Sequence, residues 1–269
     1  MPSPWLRDGR QAQLLMTMTE PDGAPFFADP RQVLARVLER FRRVGLTPVV
    51  AVELEFYLVD RQRNALGMIQ PPLSPSSGER ATQSQLYSIN ELDEYADFLE
   101  AIHSAAERQE LPLDTALKEC APGQFEINLL HCDNALTACD SAVLLKRLIK
   151  GVALQHGFDA TFMAKPYGNE AGSGTHVHIS CSTTTVATSF PPRTGHPWHS
   201  RATARGGRPA RDHAGSMGLL APNLNSFKRF QPGLYVHGAD LGLRQSLGGS
   251  AHPFRRQPGE AHRTSCCRG

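Results

Sequence analysis

The sequence has no apolar run long enough to cross a membrane and no strong excess of charge of either sign. No stretch approaches the roughly 20 apolar residues of a spanning helix, and no signal-like segment stands near Met1, so we predict a cytoplasmic location. The 28 basic and 26 acidic side chains give a net charge of +2. That balance offers no polybasic surface for nucleic acid or membrane, and we expect neither partner.

Common nucleotide and metal motifs are also missing. The six cysteines contain no CxxC pair, so neither a zinc knuckle nor a disulfide framework is indicated, and we interpret them as free thiols. There is no GK[ST] sequence for a P-loop, and the glycine loop at 172–174 lacks the third glycine of a dinucleotide motif because Val177 stands there. This loop instead suggests a close approach of backbone to a ligand.

What the sequence does contain is a set of periodic segments, supported by 40% hydrophobic residues, which is enough for a buried core. Apolar residues at helical spacing follow capping residues at three places, and apolar and polar residues alternate at three others. Helices are predicted from Asp29-Pro30 to Gly45, from Asn90 to before Pro112, and from Asp133 or Asn134 to Gln155, and strand units at 48–60, 118–130 and 158–180.

The strand units carry acidic and imidazole side chains at matching spacing. Glu53 and Glu55 leave one face of their strand, His176 and His178 do the same, and Glu126 lies on a strand whose other face is apolar. Carboxylates held close together repel unless a cation neutralises them, and oxygen ligands with a minority of imidazole favour Mg²⁺ or Mn²⁺. A solvated alternation and ordinary sheet histidines are the plainer interpretations of the same residues.

Four segments of the chain resemble successive signature blocks of the glutamine synthetase family, in the correct order. They are VELEF (52–56), KECAPGQFEI (118–127), ATFMAKPYGNEAGSGTHVHIS (160–180) and APNLNSFKRFQPGLYV (221–236). The QFEI and QPGLYV sequences are closer to those of the γ-glutamylpolyamine synthetase-like branch than to those of the ammonia-using enzymes. The resemblance implies an α+β fold: part of the glutamine synthetase catalytic domain, with an antiparallel sheet lining a metal site and helices packed behind it.

The resemblance also implies a role for each matching residue. Glu55, Glu119 and Glu126 would ligate the cation nearer glutamate, Glu53 and His176 the cation nearer the phosphates, and His178 and Ser180 would contact ATP. Gly172 would approach the amino-acid substrate, and Arg229 would bind its carboxylate and be catalytic, although a solvated pair with Lys228 is the plainer interpretation of that arginine. The expected cofactors are two Mg²⁺ or Mn²⁺ ions, with ATP as co-substrate.

The implied reaction joins glutamate to ammonia or a polyamine. ATP phosphorylates the γ-carboxylate, and the amine attacks the acyl phosphate. Leu234-Tyr235 stand where ammonia-using enzymes have a glutamate, which suggests a larger amine. The alternatives are a catalytically dead metal- or nucleotide-binding remnant of such an enzyme, and a carboxylate-metal hydrolase that works without ATP.

Domain organisation is expected to be incomplete. In the family, a β-grasp domain completes the site of the neighbouring subunit in a ring-shaped homo-oligomer. Because only a remnant of that domain is expected here, the homo-oligomer implied by the resemblance is in question for this chain. No counterpart of the last metal-ligand glutamate follows Val236. We expect a β-grasp remnant at 1–27, catalytic-domain segments at 28–180 and 215–236, and irregular or disordered segments at 181–214 and 237–269. Arginine-rich composition at 182–214 and 237–269 suggests out-of-frame translation, which family-like sequence in another reading frame would support.

Overall fold

The computed structural model describes residues 1–6, 11–183 and 217–229. The predictions for 184–214 and 237–269, and for Leu234-Tyr235, lie outside these residues. The helices are α1 (Pro30–Arg43), α2 (Ile89–Glu94), α3 (Ala96–Arg108) and α4 (Ala135–Gln155), with short helical turns at 217–220 and Leu224–Phe227. The strands are β1 (Leu46–Asp60), β2 (Leu113–Lys118), β3 (Gln124–Leu129), β4 (Phe158–Thr161) and β5 (Thr175–Thr183).

β1 is the central strand of the sheet. β3 pairs with one edge of β1, β5 and β4 pair with successive parts of the other edge, and β2 lies outside β3. Every one of these pairings is antiparallel, as the family resemblance implies. The 15 residues of β1 are needed because two strands share one of its edges.

The two faces of β1 differ in their surroundings. Its apolar face packs with α3 and α4 into the main core, whose β1 members are Val50, Val52, Leu54, Phe56 and Leu58. The opposite face carries Glu53 and Glu55, and farther along it Tyr57 and Val59 pack with Ala121 in a smaller cluster. The predicted α+β architecture, with helices behind an antiparallel sheet, is therefore confirmed.

Three details differ from expectation. The helix predicted from Asn90 is interrupted at Tyr95, whose φ of −109° and ψ of 19° end α2, while its buried ring packs 5.3 Å from the ring of Phe125. β2 lacks a clear alternating pattern and exists because it pairs with β3, a case of tertiary context overriding propensity. Cys120 is disulfide-bonded, so the free-thiol prediction is wrong there, whereas Cys132 and Cys139 are free thiols.

No helix within the described part of the chain is both long and apolar enough to cross a bilayer.

Candidate metal and substrate site

Strand register brings the acidic and imidazole side chains together. On β1, Glu53 is opposite His176 of β5 along one edge, and Glu55 is opposite Glu126 of β3 along the other. Side chains of directly opposed residues in antiparallel strands leave the same face, with Cβ atoms about 4.5–5.5 Å apart. Three strands therefore deliver their polar groups to one region.

The tightest group consists of Glu53, Glu126 and His176. One ligand atom from each lies within 4.8 Å of the others. His176 Nδ1 is 2.9 Å from Glu53 Oε2 and 3.7 Å from Glu126 Oε2, while His176 Nε2 is 3.9 Å from Glu55 Oε1. Convergence of two carboxylates and one imidazole fits a divalent cation that prefers oxygen ligands.

The electrostatics of the group also fit a cation. The pKa of His176 is raised to about 9, most strongly by the Glu126 carboxylate and then by Glu55 and Glu53, although Glu53 is the nearest. The imidazolium thus supplies the positive charge among these acids. A bound cation would replace that positive charge, and His176 would then be neutral.

The carboxyl groups of Glu55 and Glu119 both have raised pKa values. The pKa of Glu119 is raised to about 7, first by burial and then by Glu55 and Glu126. Burial also raises the pKa of Glu55, against the Gly174 N–H, which donates to its Oε2 at 2.9 Å. The structure therefore sets Glu119 beside Glu55 and Glu126, outside the tightest group, and a cation there would relieve their repulsion.

The two expected ATP contacts lie farther along β5. His178 Nε2 is 2.8 Å from Glu53 Oε1, so His178 borders the metal-binding group. Ser180 is opposite Val49 of β1. Because strand side chains alternate, Ser180 leaves the same face as His176 and His178.

The glycine loop at 172–174, together with Ala171 before it, is fixed by hydrogen bonds along its length. The Tyr57 hydroxyl donates to Ala171 O at 2.6 Å, Gln124 Nε2 donates to Gly172 O at 3.2 Å, and Ser173 N donates to Ala164 O at 2.9 Å. At Gly174, the Glu55 N–H donates to the carbonyl at 3.2 Å. The loop is thereby attached directly to a candidate metal ligand.

Arg229 packs against this loop. A Cβ on Gly172 would stand 2.8 Å from Arg229 Cγ, and one on Gly174 would stand 3.3 Å from Arg229 Nη2 and 2.9 Å from Glu55 Oε1. The guanidinium lowers the pKa of Glu55, against the larger effect of burial. Arg229 and Gly172, predicted as substrate-binding residues, are therefore neighbours beside the carboxylates.

Asn225 holds the turn that carries Arg229. Its Oδ1 accepts from Lys165 N at 2.9 Å, and its Nδ2 donates to Lys165 O at 2.8 Å. The helical turn Leu224–Phe227 is thus fixed to the segment that leads into the glycine loop.

Two residues at the site were missed in the sequence. Gln124 is fully buried and bridges Glu55 Oε2 and Gly172 O, both at 3.2 Å; its spacing from Glu126 on the same strand face was an available signal. Tyr87 lies in a loop at a positive φ of 58°, and burial, followed by Glu119 and Glu126, raises its hydroxyl pKa. No sequence pattern pointed to Tyr87.

Comparison with known proteins decides the family. The family model that describes the glutamine synthetase catalytic domain matches residues 27–239. The chain belongs to the glutamine synthetase family. Relatives include the γ-glutamylputrescine synthetase PuuA of Escherichia coli, which is 50% identical over 228 residues. Another is the glutamine synthetase of Thermus thermophilus, which is 30% identical over 226 residues.

A solved structure gives the same answer for the fold. This glutamine synthetase family member superposes on a GmaS complex with ADP with a TM-score of 0.68 at 29% identity, covering 81% of this chain and 48% of that one. The PuuA match covers 83% of this chain and 47% of the relative, and the Thermus match 84% and 48%. The chain therefore spans about half the length of the relatives it matches.

Proposed function

We propose that this chain carries the metal- and glutamate-binding part of an ATP-dependent ligase that forms γ-glutamyl amides. The observation that carries the proposal is the convergence of Glu53, Glu126 and His176 within 4.8 Å. The relatives named as glutamine and γ-glutamylputrescine synthetases support the reaction class, and they favour it over an ATP-independent hydrolase.

The proposed reaction requires the protein to neutralise the charge of the phosphoryl group and to position the cations and ATP. Bound Mg²⁺ or Mn²⁺ would neutralise the phosphoryl group in transfer. Glu55, Glu119 and Glu126 would hold the cation nearer glutamate, and Glu53 and His176 the cation nearer the phosphates. His178 and Ser180 would contact ATP, in line with the ADP complex of the related structure.

Glutamate would be oriented by the glycine loop and Arg229. A guanidinium matches a carboxylate with two parallel hydrogen bonds, and Arg229 lies against both Gly172 and Gly174. Arg229 is thus the residue we propose to touch the substrate and to act in catalysis. The Gly172 carbonyl accepts a hydrogen bond from Gln124, which fixes the loop that lies against Arg229.

We propose a polyamine such as putrescine as the preferred amine, with ammonia as the alternative. The 50% identity to a γ-glutamylputrescine synthetase exceeds the 30% identity to the Thermus glutamine synthetase. A homo-oligomer and a cytoplasmic location remain predictions.

Calorimetric titration with Mn²⁺ tests the site. Glu126→Gln and Glu55→Gln should weaken Mn²⁺ binding about 10-fold or more, because each removes a charged oxygen ligand. Glu107→Gln is the matched control, since that side chain is 70% exposed on α3. Equal Mn²⁺ affinity in the wild type and all three variants would disprove the proposed ligands.

Turnover separates the ligase from a catalytically dead remnant. Phosphate release from ATP that requires Mn²⁺, glutamate and putrescine together supports the ligase. Mn²⁺ or ATP binding without phosphate release supports the remnant.

A further inference from the structure

We propose that the buried ion pair between Lys118 and Glu91 positions the Glu119 carboxylate for metal binding. The inference rests on the proposed function, because it treats Glu119 as a metal ligand. Neither Lys118 nor Glu91 belongs to the ligand set, yet Lys118 is the residue directly before Glu119.

The Lys118 ammonium is completely satisfied where it lies. Its side chain is 0% exposed, and its Nζ donates to the carbonyls of Glu119 and of Ala121, the latter at 2.7 Å. The third partner is Glu91 Oε2 at 3.4 Å. An ammonium has three donors, so all three point into the loop 119–123 and the helix beside it.

Glu91 attaches the same loop to α2. Its second oxygen, Oε1, accepts from Gly123 N at 3.1 Å, and its own N–H donates to Ser88 Oγ, which caps the helix, at 3.3 Å. Gly123 has a φ of +70°, and a Cβ there would stand 2.9 Å from Leu58 O. The turn therefore has no room to move toward β1.

Stability alone is a poor explanation for this pair. Two buried charges carry a desolvation cost that a well-packed apolar pair avoids, so such pairs are often neutral or unfavourable. The pair fixes the orientation of the loop backbone, because the ammonium has all its hydrogen bonds only while the carbonyls of Glu119 and Ala121 face it. With Glu119 N donating to Gln124 O at 2.9 Å, the backbone of Glu119 is held at both its N–H and its carbonyl.

The decisive variant replaces both partners at once. In Lys118→Met with Glu91→Gln, Met fills the space of the lysine stem and Gln keeps an acceptor for Gly123, so the fold should survive. Mn²⁺ affinity, measured by calorimetry, should still fall about 10- to 100-fold, as expected when a group supporting a ligand is lost. The electron paramagnetic resonance spectrum of bound Mn²⁺ should also change, since a ligand has moved.

Asp140→Asn is the control, because it breaks the ion pair of 3.0 Å that joins Arg31 of α1 to α4, away from the site. It should leave Mn²⁺ affinity and spectrum unchanged. Wild-type affinity and spectrum in the double variant would overturn this inference and leave the proposed function standing. Absence of Mn²⁺ binding by the wild-type chain would overturn both. If the double variant unfolds, the Mn²⁺ affinity and the electron paramagnetic resonance spectrum of Glu91→Gln alone test the inference in the same way. If Glu91→Gln also unfolds, the ion pair serves stability and the inference is overturned.

Discussion

At the scale of single residues, the glycine loop shows how little space the site leaves. Sequence reasoning predicted a close backbone approach to a ligand at 172–174, and this stays a prediction; within the protein, the atoms that come close to Gly172 are the Ala164 carbonyl and the Arg229 side chain. A Cβ on Gly172 would stand 2.6 Å from Ala164 O. The neighbour there is backbone, which cannot rotate away.

Gly172→Ala should therefore destabilise the chain by about 1–3 kcal/mol, the usual cost of overpacking, and displace Arg229. Glutamate affinity, measured by calorimetry in the presence of Mn²⁺, should fall. Gly168→Ala is a matched control in the same segment, because a Cβ there meets nothing within 4 Å. Chemical denaturation of both variants measures the stability change; an unchanged Gly172→Ala protein would show that the loop is looser than described.

Residue types alone predicted part of the site. The alternation around Glu53 and Glu55 indicated a common face, and the matching pattern at Glu126, His176 and His178 indicated a divalent-cation site, while the division of these ligands between two cations came only from the family resemblance. The hydrogen bond of Gln124 to Glu55, and the effect of the carboxylates on the pKa of the Tyr87 hydroxyl, depend on rotamers and on a loop at positive φ, which local sequence does not determine.

At the scale of elements, the long amphipathic segments were predictable and the contacts that fix them were not. The predicted ends of α1 and α4 agree with the structure because capping residues set them: Asp29 and Asn134 accept from N–H groups of the first turn. The docking of the N-terminal residues on α4 had no signal. There, Gln155 Nε2 donates to Trp5 O at 2.6 Å, and a Cβ on Gly151 would stand 2.4 Å from the Trp5 ring.

Gly151→Ala tests that docking through two opposing effects. Alanine in a helix interior is about 1 kcal/mol better than glycine, but here the methyl group must displace a buried indole, which costs about 1–3 kcal/mol. We expect net destabilisation in the wild type. In a Trp5→Ala background the same change should stabilise, and denaturation of the four proteins of this double-mutant cycle measures both signs. Stabilisation in both backgrounds would contradict the docking.

At the scale of the whole molecule, the metal-free site is a source of pH dependence. The pKa of Glu119 is raised from 4.5 to about 7, and the pKa of His176 from 6.5 to about 9. These two groups therefore hold more protons in the native chain than in the unfolded chain between about pH 5 and 9, so their contribution to the unfolding free energy falls as pH rises through that window. The stabilising contribution of His176 is complete below pH 6.5 and lost as pH passes 9.

Denaturation in EDTA at pH 5.5, 7 and 9 should show this fall. Excess Mn²⁺ should offset it at pH 7 and 9, because a cation that binds only the native state stabilises it and replaces the lost protons. Glu119→Gln should remove the part of the slope below pH 7. Metal-free stability that increased steadily with pH would contradict the raised pKa values.

The central position of β1 has a consequence for how the chain folds. Side chains in a strand alternate with a period of two, so a slip of one residue would turn Glu53 and Glu55 inward and Leu54 outward. No cation could then be captured. The time at which Mn²⁺ binds during refolding would thus show when β3 and β5 have both paired with the central strand in the correct register.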